Sequence, residues 1–287
     1  MLPNLKTTPP RQFAVAIPMV LCFVTFILTM LALFAGHQKG FMEDYAIIRR
    51  QLNTSMIGRP AAQGKLGALV GSAVGSAADK MGVSDWYSIH VLDSCEGQYG
   101  AHSELVVKKC SSSSPNHRFN LTQALDHELS LGPLHINTAQ LGLPPSLQPK
   151  IDAVNDVLYT LFVLLVLAST AAFLAVPAAA GPAILPAQRR THAVLLNMAL
   201  TSLAAFCAFL ASTVVTAAAA IGASALNDAG APLGVVAVQG SRLIVLAWVA
   251  TGLVGLGFVY WAGELLLGYL EKRRERRRAM MEAKLPY

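Results

Sequence analysis

Charged residues are scarce in this chain of 287 residues, at 13% against 54% hydrophobic residues. An average soluble domain carries about twice that share of charge, so the composition excludes an ordinary soluble fold and is typical of a membrane protein. Four stretches carry no charge over at least the ~20 residues that a spanning helix needs: 13–35, 157–176, 193–221 and 243–262. The first could instead be a cleaved signal peptide, since Lys6 and Arg11 precede it.

Recognisable catalytic motifs are also missing. The sequence has no phosphate loop, dinucleotide fingerprint or nucleophile elbow, and the zinc-protease pattern that starts at His127 has Leu131 where its second histidine should stand. We therefore expect neither an enzyme nor a cofactor. The predicted spans contain only uncharged polar groups, apart from Glu264 near the end of the fourth, which argues against an ion or proton carrier.

Positive charge predicts the orientation, because Lys and Arg near span ends are retained on the cytoplasmic side. The N-terminal arm, the connection between the second and third spans, and the tail together carry a net charge of +8, whereas the long segment 36–153 has ten basic and ten acidic residues. We predict an all-α transmembrane four-helix bundle with both termini cytoplasmic. Its parts are a cytoplasmic arm (1–12), helix 1 (13–35), an extracellular loop with a small β domain (36–153), helix 2 (154–177), a cytoplasmic loop (178–191), helix 3 (192–221), a short extracellular loop (222–242), helix 4 (243–268) and a basic tail (269–287).

Cysteines are few and fall into two pairs under this topology. Cys22 and Cys207 lie in spans, while Cys95 and Cys110 share the outer loop, which faces an oxidising compartment. We predict one disulfide between Cys95 and Cys110, with two free thiols as the alternative. Two N-glycosylation sequons, at Asn53 and Asn120, fall in the same loop.

The outer loop also contains strand-like patterns. The stretch "WYSIHVL" (86–92) alternates and "ELVVKKC" (104–110) is β-branched, so both predict short antiparallel strands, with the glycines of "CEGQYGAHS" (95–103) as the turn between them. Trp86 is expected to pack its ring on this sheet, near the membrane face. The stretch from Phe41 to Gly58 is interpreted as a polar connection.

Six of the seven histidines lie in this loop. A pH sensor could use them, but no pair has the spacing of metal ligands, and we favour histidines at the surface without a shared role.

In the third span, small residues recur every fourth position, which favours close helix packing: Ala204, Ala208, Ser212, Thr216 and Ala220. In the fourth span, Trp248, Tyr260 and Trp261 suggest anchoring at the membrane interfaces, with ordinary packing as the alternative for Trp248.

The tail that follows the fourth span is strongly basic, and such clusters attract anionic inner-leaflet lipid. Its candidate lipid- or partner-binding residues are Lys272, Arg273, Arg274, Arg276, Arg277 and Arg278.

The combination of four spans, a large first outer loop, a Trp-containing strand leading to a cysteine and a second cysteine resembles the fungal SUR-seven/PalI family, a claudin-like group. The stretches "FMEDYAIIRRQLNTSMIG", "WYSIHVLDSCEG" and "KKCSSSSPNHRFNL" are similar to that family's outer-loop segments. Where claudins have the motif Gly-Leu-Trp-x-x-Cys, this chain has "VLDSC", so paracellular sealing is not implied.

The resemblance implies a plasma-membrane glycoprotein of cortical patches (eisosomes), linked to membrane organisation, endocytosis and cell-wall integrity, or alternatively an accessory component of ambient-pH signalling. The expected partners are anionic membrane lipids, an eisosome scaffold or other membrane proteins, and a second copy of the chain. Nucleic acid is not expected.

Overall fold

A computed structural model describes residues 9–52, 84, 86–100, 104–111, 147–230 and 235–282. Four of its helices are long and apolar enough to cross a membrane. They are α1 (Pro9–Phe34), α2 (Leu147–Ala179), α4 (Ala187–Gly230) and α5 (Ser241–Glu282), with a short α3 (Gly181–Ile184) between the second and third. The strands are β1 (Ile48–Leu52), β2 (Trp86–Ile89), β3 (Ser94–Tyr99), β4 (Leu105–Cys110) and β5 (Val235–Gln239).

The long helices extend past the predicted span boundaries. At 1.5 Å per residue the 44 residues of α4 and the 42 residues of α5 reach about 66 and 63 Å, roughly twice a bilayer's hydrocarbon core. Helix α1 begins at Pro9, inside the stretch predicted to be an unstructured arm. Proline is tolerated there because an N–H in the first turn has no intrahelical acceptor.

Residue contacts divide the chain into two compact units, which we call the helical unit (1–30, 164–210 and 247–287) and the sheet unit (31–163 and 211–246). In the helical unit, segments of the four long helices pack through small side chains. Such side chains let helix backbones approach closely where lipid offers no hydrophobic driving force. The buried cluster consists of Ala168, Ala171, Ala172, Ala204, Cys207, Ala208 and Val254, with Phe26 of α1 packed against it.

Polar side chains in the helical unit bond to backbone carbonyls, as a lipid environment demands. Thr25 Oγ1 donates to the Leu21 carbonyl at 2.8 Å, and Asn197 Nδ2 donates to the carbonyls of Ala178 in α2 and Ala193 in its own helix, both at 2.8 Å. Asn197 therefore ties α4 to α2.

Two features of the helices differ from the sequence prediction. Trp261, predicted as an interfacial anchor, is 1% exposed and packs in a core cluster with Ala179 and Val194. Ala220 is exposed, although it continues the small-residue spacing whose members Ala204, Ala208 and Ser212 are buried. In both cases the tertiary packing, which a linear pattern does not contain, decides which face of the helix is covered.

The sheet unit contains a five-stranded antiparallel sheet in the order β4-β3-β2-β1-β5. β1 forms part of the stretch that was predicted to be a connection, and β5 comes from the loop between the third and fourth spans. These distant segments pair along five residues, from Ile48 with Gln239 to Leu52 with Val235. The Asn227 side chain accepts a hydrogen bond from the Ala237 N–H at 2.7 Å and donates one to the Ala237 carbonyl. These bonds give partners to two backbone groups of the edge strand β5.

The predicted strand 86–92 is shorter than expected. It ends at Ile89, and the His90 N–H bonds to the Asp93 carbonyl at 2.9 Å, so residues 90–93 turn the chain back into β3. β3 lies in the stretch that had been predicted to be a turn between the strands. The strand includes Gly97, which lies against the ring of Trp86. A Cβ atom at this position would be 2.5 Å from Cζ2 of that ring, so there is no room for a side chain.

Candidate functional site: the disulfide-bonded sheet, its buried ionisable cluster and the basic helix end

The disulfide joins neighbouring strands directly. Cys95 of β3 is paired in register with Cys110 of β4, and the two Cα atoms are 4.1 Å apart. The structure therefore contains the predicted Cys95–Cys110 bond. One residue further along, the register shifts, because Glu96 pairs with Lys109 and Gly97 with Val107, which leaves Lys108 as an extra residue on β4. Such a bulge increases the local twist of an edge strand.

Trp86 forms the centre of the sheet's buried face. Its side chain is fully buried, and its Nε1–H donates to the Gln98 carbonyl at 3.2 Å, so the one polar atom of the indole is satisfied. Ser88, two residues on and on the same face, is also fully buried and donates to the Cys95 carbonyl at 3.4 Å. The predicted packing of Trp86 on the sheet is confirmed.

A cluster of ionisable side chains lies beneath the disulfide. His90 and Asp93 in the β2–β3 turn are both without solvent exposure, with Nδ1 and Oδ1 3.6 Å apart. Glu43 comes from the loop after α1, where its Oε1 accepts a hydrogen bond from the Gly40 N–H at 2.9 Å. These residues are brought together because the ring of His90 packs against Gly36, whose φ of +81° and missing side chain leave room for it.

Burial sets the protonation of this cluster. It lowers the pKa of His90 from 6.5 to about 4, only partly opposed by the nearby Glu43 carbonyl, so the imidazole is neutral at pH 7. Burial also raises the pKa of Glu43, and the Asp93 carboxylate adds to that rise. Both shifts favour the uncharged form, as expected where few solvent dipoles stabilise a charge.

Two arginines contact the loop that carries Glu43. Arg49 of β1 donates from Nη2 to the Glu43 carbonyl and to Asp44 Oδ1, each at 3.1 Å. Arg242, at the start of α5, pairs with the other carboxylate oxygen of Asp44. Asp44 thus connects the loop after α1 both to the sheet and to the first turn of α5.

Potential metal ligands converge on the sulfur of Cys95. The ligand atoms of Glu43, Cys95 and Cys110 lie within 4.8 Å of one another, and so do those of His90, Asp93 and Cys95. Sequence spacing did not indicate this grouping, because its members come from a loop, a turn and two strands. The close pair His90 and Asp93, three residues apart, was the only local signal.

The basic residues predicted to bind lipid or a partner lie on the last turns of α5, which continues without a break to Glu282. All six of these side chains are exposed: Lys272, Arg273, Arg274, Arg276, Arg277 and Arg278. About two turns before this basic stretch, Glu264 of α5 pairs with Arg190 of α4 at 3.4 Å. The sequons at Asn53 and Asn120, and the histidines at 102, 117, 127 and 135, fall outside the described residues.

A family model for the SUR7/PalI family matches residues 14–260. The chain belongs to the SUR7/PalI family. The family match takes in most of the described structure, including all five strands, and confirms the resemblance noted from the outer-loop segments. The basic end of α5 lies beyond it. No curated protein and no solved structure matches the chain. Family membership and four apolar helices make this a multi-pass membrane protein.

Proposed function

We propose that this protein is a non-enzymatic organiser of the fungal plasma membrane at cortical patches (eisosomes), where it supports membrane domain organisation, endocytosis and cell-wall integrity. Membership of the SUR7/PalI family supports a membrane role. The observation that carries the finer proposal is the exposed basic end of α5, which follows directly from an apolar helix. An organiser must hold both lipid and neighbouring proteins, and this helix end has the charge to bind anionic lipid or an acidic scaffold surface.

The geometry of the helix end limits how strongly it binds a membrane. Its six basic residues fall within seven positions, so successive 100° steps place them on all sides of the helix. Lys272 and Arg278 are about 9 Å apart along the axis, close to the ~8 Å Debye length of physiological salt. At ~1 kcal/mol per basic residue near the surface, we expect binding worth a few kcal/mol, with the residues nearest the bilayer contributing most.

The sheet unit, which contains the predicted outer-loop segments, is the proposed surface for contact with neighbours. The disulfide joins its edge strand β4 to the neighbouring β3, and Asp44 ties the loop after α1 to Arg49 and Arg242. Such covalent and ionic links keep a small sheet in one conformation, which suits a surface that contacts neighbouring proteins, the cell wall or a second copy of the chain.

This arrangement assumes cytoplasmic termini, an orientation supported by the +8 charge on the arm, the second connection and the tail. A topology reporter fused after Glu282 should read cytoplasmic. A C-terminus that is glycosylated, or cleaved by protease added to intact cells, would contradict the orientation.

Imaging of a fluorescent fusion in living cells tests the function. The wild-type chain should form stable, immobile cortical patches, and a variant with all six basic residues of the helix end changed to Gln should lose them or recover faster after photobleaching. The matched control changes Lys108 and Lys109 of β4, which are also exposed basic residues, and should leave the patches intact. Diffuse wild-type label, together with defective alkaline growth on deletion, would overturn the organiser and favour the ambient-pH signalling role.

A further inference from the structure

Four side chains of the types that bind metal ions lie near one sulfur atom in the sheet unit. Cys95 Sγ lies within 4.8 Å of the ligand atoms of Glu43 and Cys110, and within the same distance of those of His90 and Asp93. Zinc takes four N, S or O ligands at 2.0–2.3 Å in a tetrahedron, so two ligands of one ion lie roughly 3.3–3.8 Å apart. Asp93 Oδ1 lies 3.6 Å from His90 Nδ1, close enough to orient the imidazole as a neighbouring carboxylate does for metal-binding histidines.

An independent observation points to a ligand in the same place. The His90 side chain is fully buried, and neither of its ring nitrogens has a partner within hydrogen-bond geometry among the described residues, although the Glu43 carbonyl lies near the ring. Glu43 Oε2 is buried without such a partner as well. Buried polar atoms nearly always have a hydrogen-bond partner. Atoms without one therefore need an explanation, and a role as ligands of a metal ion is one. A neutral imidazole is also the form that binds metal.

We propose that reduction of the Cys95–Cys110 disulfide creates a binding site for one zinc-like divalent cation, with Cys95, Cys110, Glu43 and His90 as its ligands. The disulfide and the metal site are alternatives, since a sulfur atom in a disulfide is not a thiolate. Asp93, beside His90, then orients the imidazole. The two cysteines need no large movement to share an ion, because they are already direct neighbours across β3 and β4.

The chemistry balances with a dithiol as the reductant. Two electrons and two protons pass from the dithiol to the disulfide, the S–S bond breaks, the dithiol closes to its own disulfide, and Cys95 and Cys110 become thiols. Binding of the cation then releases the two thiol protons to solvent, because the thiolate is the ligand. In the reverse exchange, two electrons pass from the two thiolates to a disulfide oxidant, which takes up two protons from solvent and becomes a dithiol; the Cys95–Cys110 bond forms again and the cation is released.

The test uses the full chain in detergent, with Cys22 and Cys207 changed to Ser so that the only thiols are those of the proposed site. After reduction with a phosphine and removal of the reductant, cobalt(II) is added as a spectroscopic probe. One equivalent should bind, with thiolate-to-cobalt charge-transfer absorption in the near ultraviolet, and zinc should displace it. The oxidised protein should show neither effect.

Variants identify the ligands. Glu43→Gln and His90→Ala should each weaken cobalt binding by at least tenfold, whereas the matched controls Glu104→Gln and His192→Ala, both at exposed positions, should leave it unchanged. If both site variants bind as tightly as the parent protein, or if the reduced parent shows no charge-transfer absorption, the proposal is wrong.

If the variants fail to fold, a measurement on the unmutated chain still tests the proposal. Zinc should slow alkylation of Cys95 and Cys110 in the reduced wild-type protein by at least tenfold and leave Cys22 and Cys207 unaffected, as read by mass spectrometry of each cysteine's peptide. Equal alkylation rates at Cys95 and Cys110 with and without zinc would overturn the site.

Discussion

Acid should destabilise the sheet unit through His90. Its pKa is lowered from 6.5 to about 4 by burial, so the folded unit binds the imidazole proton more weakly than the unfolded chain does. The stability that this group contributes is therefore fully present above pH 6.5 and is lost as the pH falls towards 4. The pKa difference corresponds to about 3 kcal/mol in total, of which about 2 kcal/mol is lost between pH 7 and pH 5.

Hydrogen exchange of the β2 and β3 amides measures this loss. A change of about 2 kcal/mol raises the opening constant about thirtyfold, once rates are corrected for the intrinsic effect of pH on exchange. His90→Asn should remove most of the pH dependence, even if it changes the stability itself. His37→Asn, at an exposed histidine of the same unit, is the control and should retain it.

Glu43 acts in the opposite direction. Its pKa is raised, so the stability it contributes is present at low pH and is lost as the pH rises through its folded-state pKa. A Glu43→Gln variant should consequently show a steeper acid destabilisation than the wild type. If the wild type and His90→Asn have the same pH dependence between pH 7 and pH 5, the buried neutral histidine is not the cause and the reasoning fails.

Three further outcomes are expected. Removal of the disulfide by Cys95→Ser should destabilise the sheet unit by about 3 kcal/mol in chemical denaturation, with Cys95→Ser/Cys110→Ser no worse than either single change; two alkylated cysteines in the non-reduced wild type would refute the bond. Gly36→Ala should cost at least ~1 kcal/mol more than Gly40→Ala in thermal denaturation, because both glycines have positive φ but only at Gly36 would a Cβ overlap the His90 ring; equal losses would show that the ring moves aside. A peptide of the α5 end should bind anionic vesicles, more tightly at low salt, and lose that binding when its six basic residues become Gln; equal binding to neutral vesicles would exclude an electrostatic role.

The sequence by itself determined the four apolar helices. An apolar run of membrane length must satisfy its own backbone hydrogen bonds, so composition and length alone select a helix. The sequence also allowed Cys95 and Cys110 to be paired, because the other two cysteines lie within apolar runs. The outer-loop segments were also enough to identify the SUR7/PalI family. The likeness to claudins remains a prediction.

Tertiary structure decided the sheet and the cluster beneath it. A strand needs partners, and those of β1 lie far along the chain, so the segment at Ile48 could be interpreted only as a connection until β2 and β5 were seen beside it. Trp261 shows the same limit in a helix, because the neighbouring helices decide whether an aromatic ring is buried or faces the membrane interface. His90 looked like one of several surface histidines, and only the close approach of Gly36 and the turn to Asp93 bury it beside Glu43 and the disulfide. Local sequence determines which segments are apolar, whereas strand pairing, and the burial that changes a side chain's chemistry, depend on which other residues pack against a segment.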